Sequence, residues 1–228
     1  ERFRPEGERQ FGHLSEVVDL DAHLLADLPA GGLPGALSGL DLPARCDDVA
    51  RADAPLFLHQ QHLAVADGMG GQMFGAEASD IAVREIHAAL SRHTGERPAS
   101  SELQGEAPEI LRTAFEAAHN GIVDFARSQG ISETMGTTAT VLWAAHGQGL
   151  LGHVGDSRLL LDRGAEGLLQ VTTDHTVAQD LVDMGRISQE AAETSRYAHI
   201  LSRALGTGSK WQPDLEWISL RTGDTVLI

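Results

Sequence analysis

Four short β-prone segments, at 137–145, 149–154, 157–162 and 168–172, succeed one another with only brief breaks between them. The breaks are His146-Gly147-Gln148, Gly155-Asp156 and the stretch from Arg163 to Gly167, rich in the residues that make tight turns. A parallel crossover needs roughly a dozen residues or more, so these connections predict antiparallel hairpins in a meander. The preceding chain has a different period. Ala78, Ile81, Ala82, Ile86 and Leu90 recur at helical spacing within 76–92. Ile110, Leu111, Ala114, Phe115, Ala118, Ile122 and Phe125 do the same within 106–128. Each predicts an amphipathic helix that buries one face.

The remaining segments complete the pattern. Residues 11–18 and the apolar run His62-Leu63-Ala64-Val65-Ala66 predict strands. Residues 176–185 and 188–193 predict short helices, the second capped by Ser188. Residues 215–220 and 225–228 predict two closing strands around the turn Arg221-Thr222-Gly223-Asp224. Strands, then paired helices, then more strands predict an α+β fold, an antiparallel β-sandwich flanked by helices, rather than an alternating parallel sheet. Residues 1–10 read as a loose terminus and 11–228 as one domain. Within it, residues 19–42 form an irregular insertion, because their Gly and Pro residues forbid one long helix.

Composition narrows the function classes. With 42% hydrophobic residues, 228 residues suffice for one substantial core. A formal charge of −16 argues against nucleic acid and anionic membranes as partners. No apolar run approaches the roughly 18 residues of a membrane span. The single Cys46 cannot form an internal disulfide. With no initiator Met and no basic-then-apolar leader, a soluble cytoplasmic protein is the expectation.

Three acidic sites stand out, one of them a pair. Asp67 ends a buried strand and opens Asp67-Gly68-Met69-Gly70-Gly71. There its carboxylate and the Gly68 carbonyl can both face a hard cation, or Asp67 can simply cap the next helix. Asp156, in Gly155-Asp156-Ser157-Arg158, is either an Asx-type turn former or a metal ligand. Asp47 and Asp48 repel each other in a way that a metal would relieve, although exposed loops tolerate such pairs. Together they match a centre of hard oxygen ligands. His59 and His62 lack a further ligand set and read as loop or strand-edge residues rather than a zinc site. Trp143, Trp211 and Trp217 read as core or rim aromatics.

Six stretches carry a resemblance: VADGMGGQMFGAEAS (65–79), MGTTAT (135–140), GHVGDSR (152–158), TTDHT (172–176), LVDMGRIS (181–188) and LSRALG (201–206). In order and spacing the chain resembles the bacterial PPM/PP2C metal-dependent Ser/Thr protein phosphatases from about residue 45 onward, with a weaker start at FGHLSE (11–16). The resemblance implies a centre of two or three Mg²⁺ or Mn²⁺ ions. Asp67 would bridge two of them, the Gly68 carbonyl would be a ligand, and Asp156 would help hold a third. Asp47 and Asp48 stand where the family has Asn-Glu-Asp and inherit ligand and water-holding roles, so Asp67, Asp47 and Asp48 are the expected catalytic residues. The implied reaction is hydrolysis of phosphoserine and phosphothreonine in proteins by a metal-activated water, with no phosphoenzyme and no role for Cys46. The implied partners are a phosphorylated protein substrate and a cognate Ser/Thr kinase.

Two departures qualify the resemblance. Pro43 occupies the place of the family's phosphate-binding Arg, so Arg45 is the nearest substitute. The family's later Ser-Asp-Gly and Asp-Asn motifs have no counterpart, so the last strands and helix of the fold are expected to be lacking, and metal binding and activity to be weak. A non-catalytic pseudophosphatase or binding module is the alternative. A GDS-type esterase built on Ser157 fits poorly, because its motif would lie in mid-chain with no late Asp-x-x-His pair.

Overall fold

A computed structural model describes residues 17–19, 62–69, 71–93, 105–131, 135–145, 147–208, 210–221 and 223–228. The 1–10 terminus, most of the 19–42 insertion and Arg45, Cys46, Asp47, Asp48 and His59 lie outside the described residues.

Two four-stranded antiparallel sheets form a sandwich, as expected. Strands β2 (His62–Val65), β5 (Ala139–Ala145), β6 (Gln148–Val154) and β9 (Asp214–Ser219) make one sheet in the order β2-β5-β6-β9. Strands β1 (Val17–Asp19), β10 (Thr225–Leu227), β7 (Leu160–Asp162) and β8 (Leu168–Gln170) make the other in the order β1-β10-β7-β8. A two-residue ladder joins β3 (Gly68–Met69) to β4 (Gly136–Thr137).

The first sheet is buried on both faces, and the alternation of its central strands shows why. Leu142 and Leu151 point toward the second sheet, where they meet Leu159, Leu161, Val226 and Ile228. Val141, Trp143, Leu150 and Val154 point the other way, toward helices α1 (Gly71–Ser91) and α2 (Ala107–Ser128). Successive side chains on a strand take opposite faces, so each of these strands serves two cores. On the helices, Ile81, Ala82 and Ile86 of α1 and Leu111, Phe115 and Ile122 of α2 are buried at the spacing read from sequence. Small residues let the helices approach closely: a Cβ on Gly121 would lie 3.1 Å from Ile81 Cγ2.

Two expectations need correcting. The four β-prone segments do not form one meander, because β6 and β7 lie in different sheets; Gly155-Asp156 carries the chain between sheets instead of turning a hairpin. The closing strands are likewise split, β9 pairing with β6 and β10 with β7 and β1. Helices α3 (Val177–Asp183) and α4 (Gln189–Glu193) are shorter than α1 and α2, with Thr176 and Ser188 as side-chain N-caps. Among the described residues, no helix is long and apolar enough to cross a membrane.

Candidate metal centre

Antiparallel order brings four chain positions to one end of the first sheet. Asp67 comes after β2, Thr138 precedes β5, Asp156 comes after β6 and Asp214 opens β9. The register agrees, pairing Val65 with Thr140, Ala139 with Val154, and His153 with Asp214. The structure therefore gathers Asp67 and Asp156, which lie far apart in sequence.

Asp67 does not cap a helix, because β3 intervenes before α1 begins at Gly71. Its carboxylate is exposed at the strand end. Gly68 is required for close approach rather than for a left-handed backbone: a Cβ there would lie 1.8 Å from the Gly75 carbonyl oxygen. The Gly68 carbonyl in turn packs against Gly75, whose own Cβ would lie 2.6 Å from that oxygen.

The Asp156 loop leaves β6 through Gly155 at φ 111°, a left-handed region that disfavours other residues. Asp156 is half-buried. Burial, followed by the charges of Asp174 and then Asp67, pushes its carboxyl above the ordinary value. The Arg158 guanidinium is forked onto Asp174, with Nε 2.9 Å from Oδ1 and Nη2 2.6 Å from Oδ2. A carboxyl raised by burial and by neighbouring negative charge suits a hard divalent cation, which relieves the repulsion and accepts oxygen donors. The donor chemistry thus fits Mg²⁺ or Mn²⁺. Among the described residues, no group of three or more His, Cys, Asp or Glu side chains could hold a metal by itself. Asp67 and Asp156 are two candidate donors, and Asp47, Asp48 and Arg45 lie outside the described residues.

Behind the acidic loops lies a polar network that sequence patterns did not single out. His175 is buried, and the Gly155 N–H donates to its Nδ1 at 3.1 Å. Its Nε2 therefore carries the proton and donates to Asp214 Oδ2 at 2.9 Å. Arg203 Nη1 donates to the other oxygen of Asp214 at 2.6 Å. Burial works to raise the Asp214 pKa, but the hydrogen bonds from His175 and Arg203 and the Arg203 charge outweigh it and hold the carboxyl low.

His153 packs against His175 with ring centroids 4.7 Å apart and the rings tilted by 40°, and its Nε2 donates to the Thr173 carbonyl at 3.2 Å. The Thr140 hydroxyl lies 2.9 Å from His153 Nδ1 and 3.0 Å from the Ser157 carbonyl. These contacts anchor the segment bearing α3 and α4 to the sheet end beside Asp156. The motifs MGTTAT, GHVGDSR, TTDHT and LSRALG contain Thr140, His153, His175 and Arg203 but gave them no role, and Asp214 lies outside every motif.

Comparison with known proteins gives the family. The family model for protein phosphatase 2C matches residues 44–204. The chain belongs to the protein phosphatase 2C family. It is 38% identical over 167 residues to the serine/threonine protein phosphatase PstP of Mycobacterium tuberculosis, covering 73% of this chain and 30% of the relative. It is 35% identical over 170 residues to the serine/threonine phosphatase stp of Listeria monocytogenes, covering 75% of this chain and 65% of that one. The chain thus spans less than two thirds of the length of either relative. A crystal structure of the PstP catalytic domain in complex with two manganese ions superposes with a TM-score of 0.57 at 36% identity, covering 73% of this chain and 66% of that one.

Proposed function

We propose that this chain carries the metal-dependent hydrolysis of phosphoserine and phosphothreonine in proteins. The observation that supports this most is the meeting of Asp67 and Asp156 at one sheet end, where burial and neighbouring carboxylates raise the proton affinity of Asp156. In this reading Asp67 and Asp156 offer carboxylate oxygens to Mg²⁺ or Mn²⁺, and the Gly68 carbonyl adds a neutral donor. Asp47 and Asp48 add to the set and hold the attacking water, while Arg45 binds the phosphoryl oxygens through its fork of N–H donors. A bound pair of such ions supplies an acidified water and charge that neutralises the phosphoryl group. Asp174 engages the Arg158 guanidinium at 2.6 Å, beside the Asp156 carboxylate. The substrate is a phosphoprotein, which makes a cytoplasmic Ser/Thr kinase the natural source of substrate.

Calorimetric titration of Mn²⁺ into the wild type and Asp67→Asn tests the site. Affinity should fall by at least about tenfold, since even residues one step removed from a metal are often worth that much. Equal binding by the two proteins refutes the assignment of Asp67. Phosphopeptide hydrolysis with Mn²⁺, assayed in parallel, tests the chemistry. Phosphopeptide binding without phosphate release supports the non-catalytic binding module instead.

A further inference from the structure

Between the two acidic loops lies one side chain that touches both. Thr138 sits in the break between β4 and β5 and is 2% exposed. Its backbone N–H donates to the Asp67 carbonyl at 2.9 Å, and its Oγ1 accepts from the Asp67 N–H at 2.9 Å. The same Oγ1 lies 2.7 Å from Ser157 Oγ, next to Asp156. Its methyl side closes the gap as well: a Cβ on Gly155 would lie 2.5 Å from both Thr138 Cβ and Cγ2. Asp67 is thus pinned through both of its backbone polar groups, and the Asp156 turn is held by a hydroxyl contact and by packing.

We infer that Thr138 is a positioning residue that sets the Asp67 carboxylate against the Asp156 carboxylate. This rests on the metal-ligand reading above. The physical reason is that a carboxylate at a strand end swings with its backbone. A double hydrogen bond fixes the Asp67 peptide groups on either side of its Cα, and the Ser157 contact couples that fixed point to the second loop. Groups that orient a ligand act on affinity without touching the ion. The residue type is well suited, since threonine combines a hydroxyl with a branched, stiff Cβ. Valine keeps the shape and loses the hydroxyl, while serine keeps the hydroxyl and loses the methyl.

The test uses the 228-residue chain as wild type, Thr138→Val, Thr138→Ser and Asp67→Asn. Two quantities are measured: Mn²⁺ affinity by calorimetry and hydrogen exchange at the Asp67 amide. Thr138→Val should bind Mn²⁺ about tenfold more weakly, with Thr138→Ser retaining most of the wild-type affinity. The Asp67 amide of Thr138→Val should exchange about tenfold faster, while the β6 amides stay protected. Unchanged Mn²⁺ affinity in Thr138→Val, or an equal fall in the Val and Ser variants, overturns the inference. If Asp67→Asn leaves Mn²⁺ affinity intact, the ligand reading fails separately. Exchange then decides alone: faster exchange confined to Asp67 and the Asp156 turn supports the clamp, and unchanged exchange overturns it. Should Thr138→Val not fold, Ser157→Ala replaces it, since it removes the second hydroxyl and leaves the Asp67 bond. Weaker Mn²⁺ binding by Ser157→Ala supports the coupling of the two loops, and unchanged binding overturns it.

Discussion

Acid should loosen this protein through His153, at a pH where most carboxylates are still ionised. The ring is 2% exposed. Burial, then the neighbouring His175, lower its pKa from 6.5 to about 4, against the Thr173 carbonyl and the more distant Asp214 and Asp174, which favour the proton. The folded state therefore holds the neutral ring where the unfolded chain would already be protonated. The unfolded state binds more protons across this window, so stability falls as pH drops from about 6.5 and the loss is complete below about 4. A shift of this size corresponds to about 3 kcal/mol in full. The linkage relation puts about 2 kcal/mol of that between pH 7 and pH 5.

Urea unfolding at a series of pH values measures this directly, with His153→Gln as the reference. Glutamine keeps a donor and an acceptor and cannot titrate in this range. His62 and His119 also have lowered pKa values, so the wild-type slope alone does not isolate one residue. The difference between the two proteins does. His153→Gln should be less stable at pH 7 but lose about 2 kcal/mol less than the wild type on going to pH 5. Parallel stability curves would show that the folded state does not hold His153 neutral, and the argument from its burial would fail. A structural consequence accompanies the energy: protonating His153 places charge against His175, which holds Gly155 and Asp214. The anchor beside Asp156 should therefore loosen before the sheets separate.

The polar network and the helix–sheet core each predict one further outcome. Asp214→Asn leaves one oxygen to serve both the His175 and Arg203 donors, so hydrogen exchange should accelerate over residues 175–205. The loss of global stability should stay near 1 kcal/mol or less, because the Asp214 side chain is 59% exposed and solvent screens it. Gly152→Ala places a Cβ 2.7 Å from Phe115 Cε2 and 3.0 Å from Leu111 Cδ2. Overpacking of this kind costs about 1–3 kcal/mol in urea unfolding, and adding Phe115→Leu should recover part of it.

The helices and most strands were legible because their signals are local. Phe115 and Ile122 lie a helical interval apart, and α2 runs Ala107–Ser128, as the period implied. Sheet membership was not legible, because it depends on contacts that no short window contains. Gly155 and Asp156 have the composition of a hairpin turn. Yet the left-handed Gly155 packs on Thr138, and Leu159 and Leu161 find Val226 across the sandwich. Thr138 was hidden for a related reason. Threonine favours strands, so 137–145 read as one continuous strand. Instead the ladder breaks at Thr138, where side-chain and backbone bonds to Asp67 replace strand pairing.

The acidic residues were legible as motifs, but their meeting is a consequence of topology. In an antiparallel sheet, alternate strands run in opposite directions, so the residues leaving one strand lie beside those entering its neighbour. In the order β2-β5-β6-β9, the exits of β2 and β6 and the entries of β5 and β9 share one end. That end receives Asp67 and Asp156 from the exits, and Thr138 and Asp214 from the entries. The exits present carboxylates, while the entries supply the groups that hold them: Thr138 grips Asp67, and Asp214 holds His175 against Gly155. A strand inserted between β5 and β6 would break this correspondence even with every motif intact. Site chemistry and sheet order are therefore a single constraint on this chain, and Thr138 is where the two meet.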